Sequence, residues 1–119
     1  MEKAKYQIKK RDSGELIVEG EAESLKELVV ANRAKLQQAD LRGCHFQGCD
    51  LQGASFEGAS FEGATFEGAS LQGASLQGAS LRGAIFRGVI FEGAKLQGCN
   101  FRDCDLEGCD FWKADLQGA

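Results

Sequence analysis

The chain has 119 residues with a net charge of -4, and it carries 16 glycines, 8 phenylalanines, 5 cysteines and no proline. Glycine is about twice as frequent as its usual ~7%, and the missing proline excludes collagen, while 43% hydrophobic content excludes a disordered tail. No apolar run reaches the ~18 residues of a membrane span, no apolar stretch follows Met1 as in a secretory leader, and the mild negative charge gives no pull toward direct nucleic-acid binding.

In chain order, Tyr6-Gln7-Ile8 and Leu16-Ile17-Val18 read as short strands around the turn sequence Arg11-Asp12-Ser13-Gly14. Ser24 with Glu27 reads as a capping box and opens a helix to about Arg33, with Leu25, Leu28 and Val29 on one stripe. Residues 1–33 are thus expected to be a hairpin-plus-helix N-terminal cap.

From Ala34 onward the chain has a period of five. One phase, from Ala34 to Ala119, holds only Ala, Cys or Val. Two residues later a second phase, Leu36 to Leu116, holds 9 Leu and 8 Phe over 17 repeats. Two positions after that comes Gly, failing only at Gln38, Asp103 and Lys113. The two remaining phases are polar. A period of five fits neither a helix nor a long strand. Small–polar–large–polar is a short strand with two residues facing in, and Gly then permits a corner at φ > 0. Four corners close a square of 20 residues. A lone coil cannot bury its apolar pair, so coils must stack. A continuously paired wall has no place for proline.

This pattern resembles the pentapeptide-repeat family, A-(D/N/S)-(L/F)-x-G, over residues 34–119. The resemblance implies an all-β, right-handed quadrilateral β-solenoid of about four coils. The repeat runs in phase to Gln117-Gly118-Ala119, leaving a β-edge open to a second copy, so a homodimer through the C-terminal coil is expected.

Residues 20 apart should stack. The column Arg42, Glu62, Arg82, Arg102 and the column Gln47, Glu67, Arg87, Glu107 suggest ion pairs between coils. Two acidic groups stand out, Glu57, Glu62 and Glu67 on one coil, and Asp103, Asp105, Glu107, Asp110 and Asp115 near the C-terminus. Three outward apolar residues break the polar wall. Ile85, Ile90 and Trp112 are candidates for a partner surface.

Catalytic chemistry is not indicated. His45 is the only histidine and faces outward, away from inward Cys44 and Cys49. Cys44, Cys49, Cys99, Cys104 and Cys109 occupy the small core phase, outside any zinc spacing, so neither metal nor cofactor is expected. Reduced cysteines suit the cytoplasm. The expected function is a non-enzymatic rigid scaffold or protein-interaction module. The alternative is a DNA mimic, as described for quinolone-resistance relatives, that binds or protects the type II topoisomerase DNA gyrase. Arginines interrupt both candidate acidic faces. The near-identical units between Gly53 and Gly83 leave open a structural or consensus-like array without a client.

Overall fold

A computed structural model describes residues 2–119. Strand β1 (Ala4–Lys9) pairs antiparallel with β2 (Leu16–Ala22). Gly14 turns the hairpin at φ 71°, a left-handed value that glycine adopts without strain. The register slips between Ile8 and Lys9, leaving Ile17 as a bulge. Ile8 and Ala22 are the hairpin's buried contacts with the core.

Helix α1 (Leu25–Ala31) starts at Ser24, whose Oγ accepts the Glu27 N–H at 3.2 Å. It ends at Ala31, short of the expected end near Arg33. Asn32 stops it, donating Nδ2–H to the Leu28 carbonyl at 2.8 Å, and a 3-10 turn (Arg33–Lys35) follows. That turn leaves Ala34 exposed although it stands in the small inward phase, and Leu36 is the first fully buried residue of the array.

Beyond Leu36 the chain is a stack of 20-residue coils. Parallel bridges join Asp40 to Ser60, Ser60 to Ser80, and so on every five residues to Lys95 with Asp115. Each side of the coil is a single bridge rather than a strand, because a corner follows within five residues. At each corner a turn closes on the Leu/Phe carbonyl, as where the Ala64 N–H donates to Phe61 at 2.9 Å. The third turn residue then needs positive φ. Gln38, Asp103 and Lys113, which replace Gly, hold φ of 62°, 59° and 58°. The corner is therefore imposed by the turn and the stack even where the sequence withholds glycine.

The hydrogen bonding between coils is unequal. Coil 80–99 donates eight N–H groups upward, from Leu81, Gly83, Phe86, Gly88, Phe91, Gly93, Leu96 and Gly98. Three return, from Asp105, Asp110 and Asp115 to Ala84, Val89 and Ala94, while the Asn100 N–H donates to the Ala79 carbonyl just before this coil. The N–H after each Leu/Phe takes no part. Where Asp or Asn precedes the Leu/Phe, its side chain accepts that N–H, as Asp110 Oδ1 does from Trp112 at 2.9 Å and Asp105 Oδ1 from Glu107 at 3.1 Å. This local turn explains the preference for short oxygen-bearing residues at that phase.

The core is a column of Leu and Phe lined by Ala, Cys and Val, and from Leu36 to Leu96 its large residues are closed to solvent. Phe66 and Phe86 stack at 4.8 Å between centroids, and Phe91 and Phe111 at 5.0 Å.

Candidate protein-interaction surface

The structure places Ile85, Ile90 and Trp112 on two adjoining sides of the upper coils. Ile85 is bridged between Thr65 and Asp105, and Ile90 between Ser70 and Asp110. Trp112 stands above Glu92, since its carbonyl accepts the Gly93 N–H at 2.9 Å. Ile90 is 41% exposed and Trp112 60%, while Ile85 is half-buried. Stacking every 20 residues therefore interleaves two features that lie apart in the sequence. Asp105 sits directly over Ile85 and Asp110 over Ile90, with Glu107 beside them.

The rest of the C-terminal acidic group goes elsewhere on the coil. Asp103 lies 3.7 Å from Arg82, and Asp115 accepts from Gln97 at 2.8 Å. The earlier acidic trio is also separated. Glu62 accepts from Ser60 Oγ at 3.0 Å, Glu57 folds one carboxylate oxygen into the wall, and Glu67 lies on a third side. Glu57, Gln77 and Gln97, each 20 residues apart, all bury Oε1 without a hydrogen-bond partner, so this column packs onto the wall rather than into solvent.

The expected ion pairs up the Arg/Glu columns do not form among the described residues. Arg42, Arg82 and Arg87 turn instead to aspartates, while Arg102 makes no ion pair among the described residues. Arg42 takes both carboxylate oxygens of Asp40, at 2.8 and 2.9 Å, and Arg87 pairs with Asp105 on the next coil. The reason is geometric. An aspartate tied to its own turn N–H is already fixed beside the wall, whereas two long side chains in one column must both be ordered to meet. The Arg87 guanidinium holds the Asp105 carboxyl below its ordinary value, and Arg42 does the same for Asp40.

The cysteines behave as core residues. Burial pushes the Cys44 and Cys99 thiols up to about 11. Cys99, Cys104 and Cys109 each donate Sγ–H to a carbonyl of the coil below, those of Leu76, Leu81 and Phe86, at 2.9, 2.8 and 2.9 Å. These thiol bonds are not visible in the repeat, which shows only small residues. His45 faces outward, with Nδ1 3.0 Å from Thr65 Oγ1. Among the described residues no group of three or more His, Cys, Asp or Glu is placed to hold a metal. A cleft of about 580 Å³ opens between α1 and the first coils, lined by Ser24, Lys26, Val30, Ala31, Arg33 and Cys49. No sequence signal marks it, because it is the gap left where a helix leans on a square coil.

Stacked 20-residue coils with a turn at each fifth residue define a repeat solenoid. The sequence model of pentapeptide repeats matches residues 32–68, 49–88, 64–103 and 91–119, and the chain belongs to the pentapeptide repeat family. Among solved structures it is similar to alr5209, a pentapeptide repeat protein from Nostoc Pcc 7120, at 30% identity and TM-score 0.65, covering 70% of this chain and 69% of that one. It is also similar to the pentapeptide repeat protein Rfr23 from the cyanobacterium Cyanothece 51142, at 27% identity and TM-score 0.58, covering 71% and 60%. QnrB1, a plasmid-mediated fluoroquinolone resistance protein, shares the fold at 21% identity and TM-score 0.52, over 72% of this chain and 56% of that one. No match was found among curated proteins.

Proposed function

We propose that the protein is a non-enzymatic, rigid interaction module whose client docks on the two adjoining sides bearing Ile85, Ile90 and Trp112. The observation that carries this reading is the exposure of Ile90 and Trp112 on a wall that is otherwise Ser, Gln and charge. A filled core leaves no interior pocket for chemistry, and buried thiols with raised pKa are poor nucleophiles. Residues 1–33 act as the N-terminal cap of the solenoid formed by residues 34–119. In support, Arg11 N–H donates to the Gln38 carbonyl and Asp40 N–H to Lys9, both at 2.7 Å. The coil is taken as right-handed, the hand that parallel crossovers adopt. No described helix is long and apolar enough to cross a membrane, and five free cysteines support a cytoplasmic setting.

The test is crosslinking in a lysate, with the captured protein identified by mass spectrometry. Capture is lost with Ile90→Ser/Trp112→Ser and kept with Glu62→Lys on another side. Capture that survives the double substitution refutes the reading. The topoisomerase-mimic alternative needs a continuous acidic side, which Arg42, Arg82, Arg102 and Arg87 interrupt. A gyrase supercoiling assay, with and without a fluoroquinolone, separates the two.

A second copy on the last coil is a further part of this proposal. Leu116 is 41% exposed there, and Phe101, Leu106 and Phe111 are half-buried. Two like edges would present mostly donors to each other, so apolar contact rather than a shared ladder must hold such a dimer. Sedimentation of Leu116→Asp against the parent chain measures it.

A further inference from the structure

We infer that the Ile85–Ile90–Trp112 surface selects a basic, apolar polypeptide segment, one that offers aliphatic side chains flanked by lysine or arginine. The inference rests on the docking reading above and adds the partner's chemistry. Two stacked coils compose this surface across two adjoining sides, through residues 85–93 and 105–113. They hold four acids, Glu92, Asp105, Glu107 and Asp110, and two bases, Arg87 and Lys113. The acids outnumber the bases, and one of the two bases is neutralised by an ion pair. Arg87 is ion-paired to Asp105, and the Lys113 ammonium lies 4.4 Å from the Trp112 ring centroid. Glu92, Glu107 and Asp110 make no ion pair among the described residues. An approaching chain therefore meets apolar anchors inside a negative rim.

The parts have separate roles. Tryptophan on a rigid wall supplies large contact area at low ordering cost, and the isoleucines extend it. The surrounding carboxylates steer a positive segment in and repel a negative one, which gives charge discrimination more than raw affinity. Nothing equivalent exists on the side of Arg42, Arg82 and Arg102. There the outward residues are polar, and Glu62 stands among arginines.

Trp112 is the sole tryptophan, so its emission reports on this surface directly. The full chain is titrated with a 12-residue peptide of leucine and lysine, and with a twin carrying glutamate at each lysine. The lysine peptide is expected to shift the emission to the blue and to bind at least about tenfold more tightly than its twin, less so as salt rises. Glu92→Gln/Glu107→Gln weakens the lysine peptide about fivefold, and Glu62→Gln on another side leaves it unchanged. Ile90→Ser abolishes binding with the circular dichroism spectrum retained. Equal binding of both peptides, lost in Ile90→Ser, overturns the basic-segment inference and leaves the docking surface standing. Binding that Glu62→Gln weakens as much as the double variant, or no emission change with either peptide, overturns the inference as well.

Discussion

Coil 60–79 and coil 100–119 are built from one five-residue unit, and they differ in what surrounds them. Both make the same corner. Gly63 and Gly68 hold φ of 71°, and Gly108 and Gly118 hold 72° and 74°. Both close the same turn, Ala64 to Phe61 at 2.9 Å and Ala114 to Phe111 at 2.9 Å. Yet Phe61, Phe66, Leu71 and Leu76 are closed to solvent, while Leu116 is 41% exposed and Phe101, Leu106 and Phe111 are half-buried. The turn therefore makes the shape, and the next coil makes the burial. A repeat protein's stability is the sum of such neighbour terms.

The two regions also differ in their fittings. The central coils use Ala and mostly Ser or Thr, whereas the last coil uses Cys104, Cys109, Asn100 and three aspartates. The last coil gains side-chain bonds to its own turns and thiol bonds to the coil below. A neutral hydrogen bond contributes only about 0.5–1.5 kcal/mol. Several together offset part of the burial that the last coil lacks.

The two coils should differ most in their cores. Phe66→Ala should cost about 3–5 kcal/mol, and Phe111→Ala less than half of that, since a partly solvated side chain leaves a smaller void. Urea denaturation of the two variants measures both. Equal losses would mean that the last coil is as well packed as the centre.

Corners give the next effect. Gly68→Ala should cost about 1–2 kcal/mol, because an added Cβ there meets nothing within 4 Å and only the left-handed backbone opposes it. The reverse change, Asp103→Gly, should stabilise by about 0.5–1 kcal/mol. Its exposed contact with Arg82 is a small loss. Thermal melts of both variants check the sign of each change.

Acid tests the fixed aspartates. Arg87 lowers the folded-state pKa of Asp105 below 3.8. A depressed carboxylate stabilises the fold fully above its unfolded pKa, and that contribution is lost as pH falls through the folded value. Asp105 should titrate below pH 3.8 in the parent chain and move toward that value in Arg87→Gln, as followed by carboxylate NMR. No movement would mean that the turn N–H, not Arg87, sets the shift.

The smallest effect lies in the thiols. Cys104→Ala should raise amide exchange in the last coil and leave the central coils unchanged, while Cys104→Ser should largely restore protection by donating to the same Leu81 carbonyl. Equal exchange in both variants would show that thiol size, not its hydrogen bond, secures the coil.

Much of the molecule was legible from residues 34–119, because five-residue periodicity is local. Small, polar, large, polar and glycine specify a turn, and a turn repeated in register can only stack. The hairpin, the helix start at Ser24 and the inward cysteines followed from equally local signals. Three things required the tertiary structure. The helix stops at Asn32 because that side chain caps Leu28, and a 3-10 turn then puts Ala34 outside. Arg42 and Arg87 pair with the turn-fixed aspartates Asp40 and Asp105 rather than with glutamates of their own columns, since ordering one long side chain costs less than ordering two. The apolar trio and three of the C-terminal acids form one surface, because stacking at 20 residues brings Asp105 over Ile85 and Asp110 over Ile90. Sequence determined the coil through contacts a few residues apart. Only stacking decided which side chains share a surface, for those neighbours are a whole coil away.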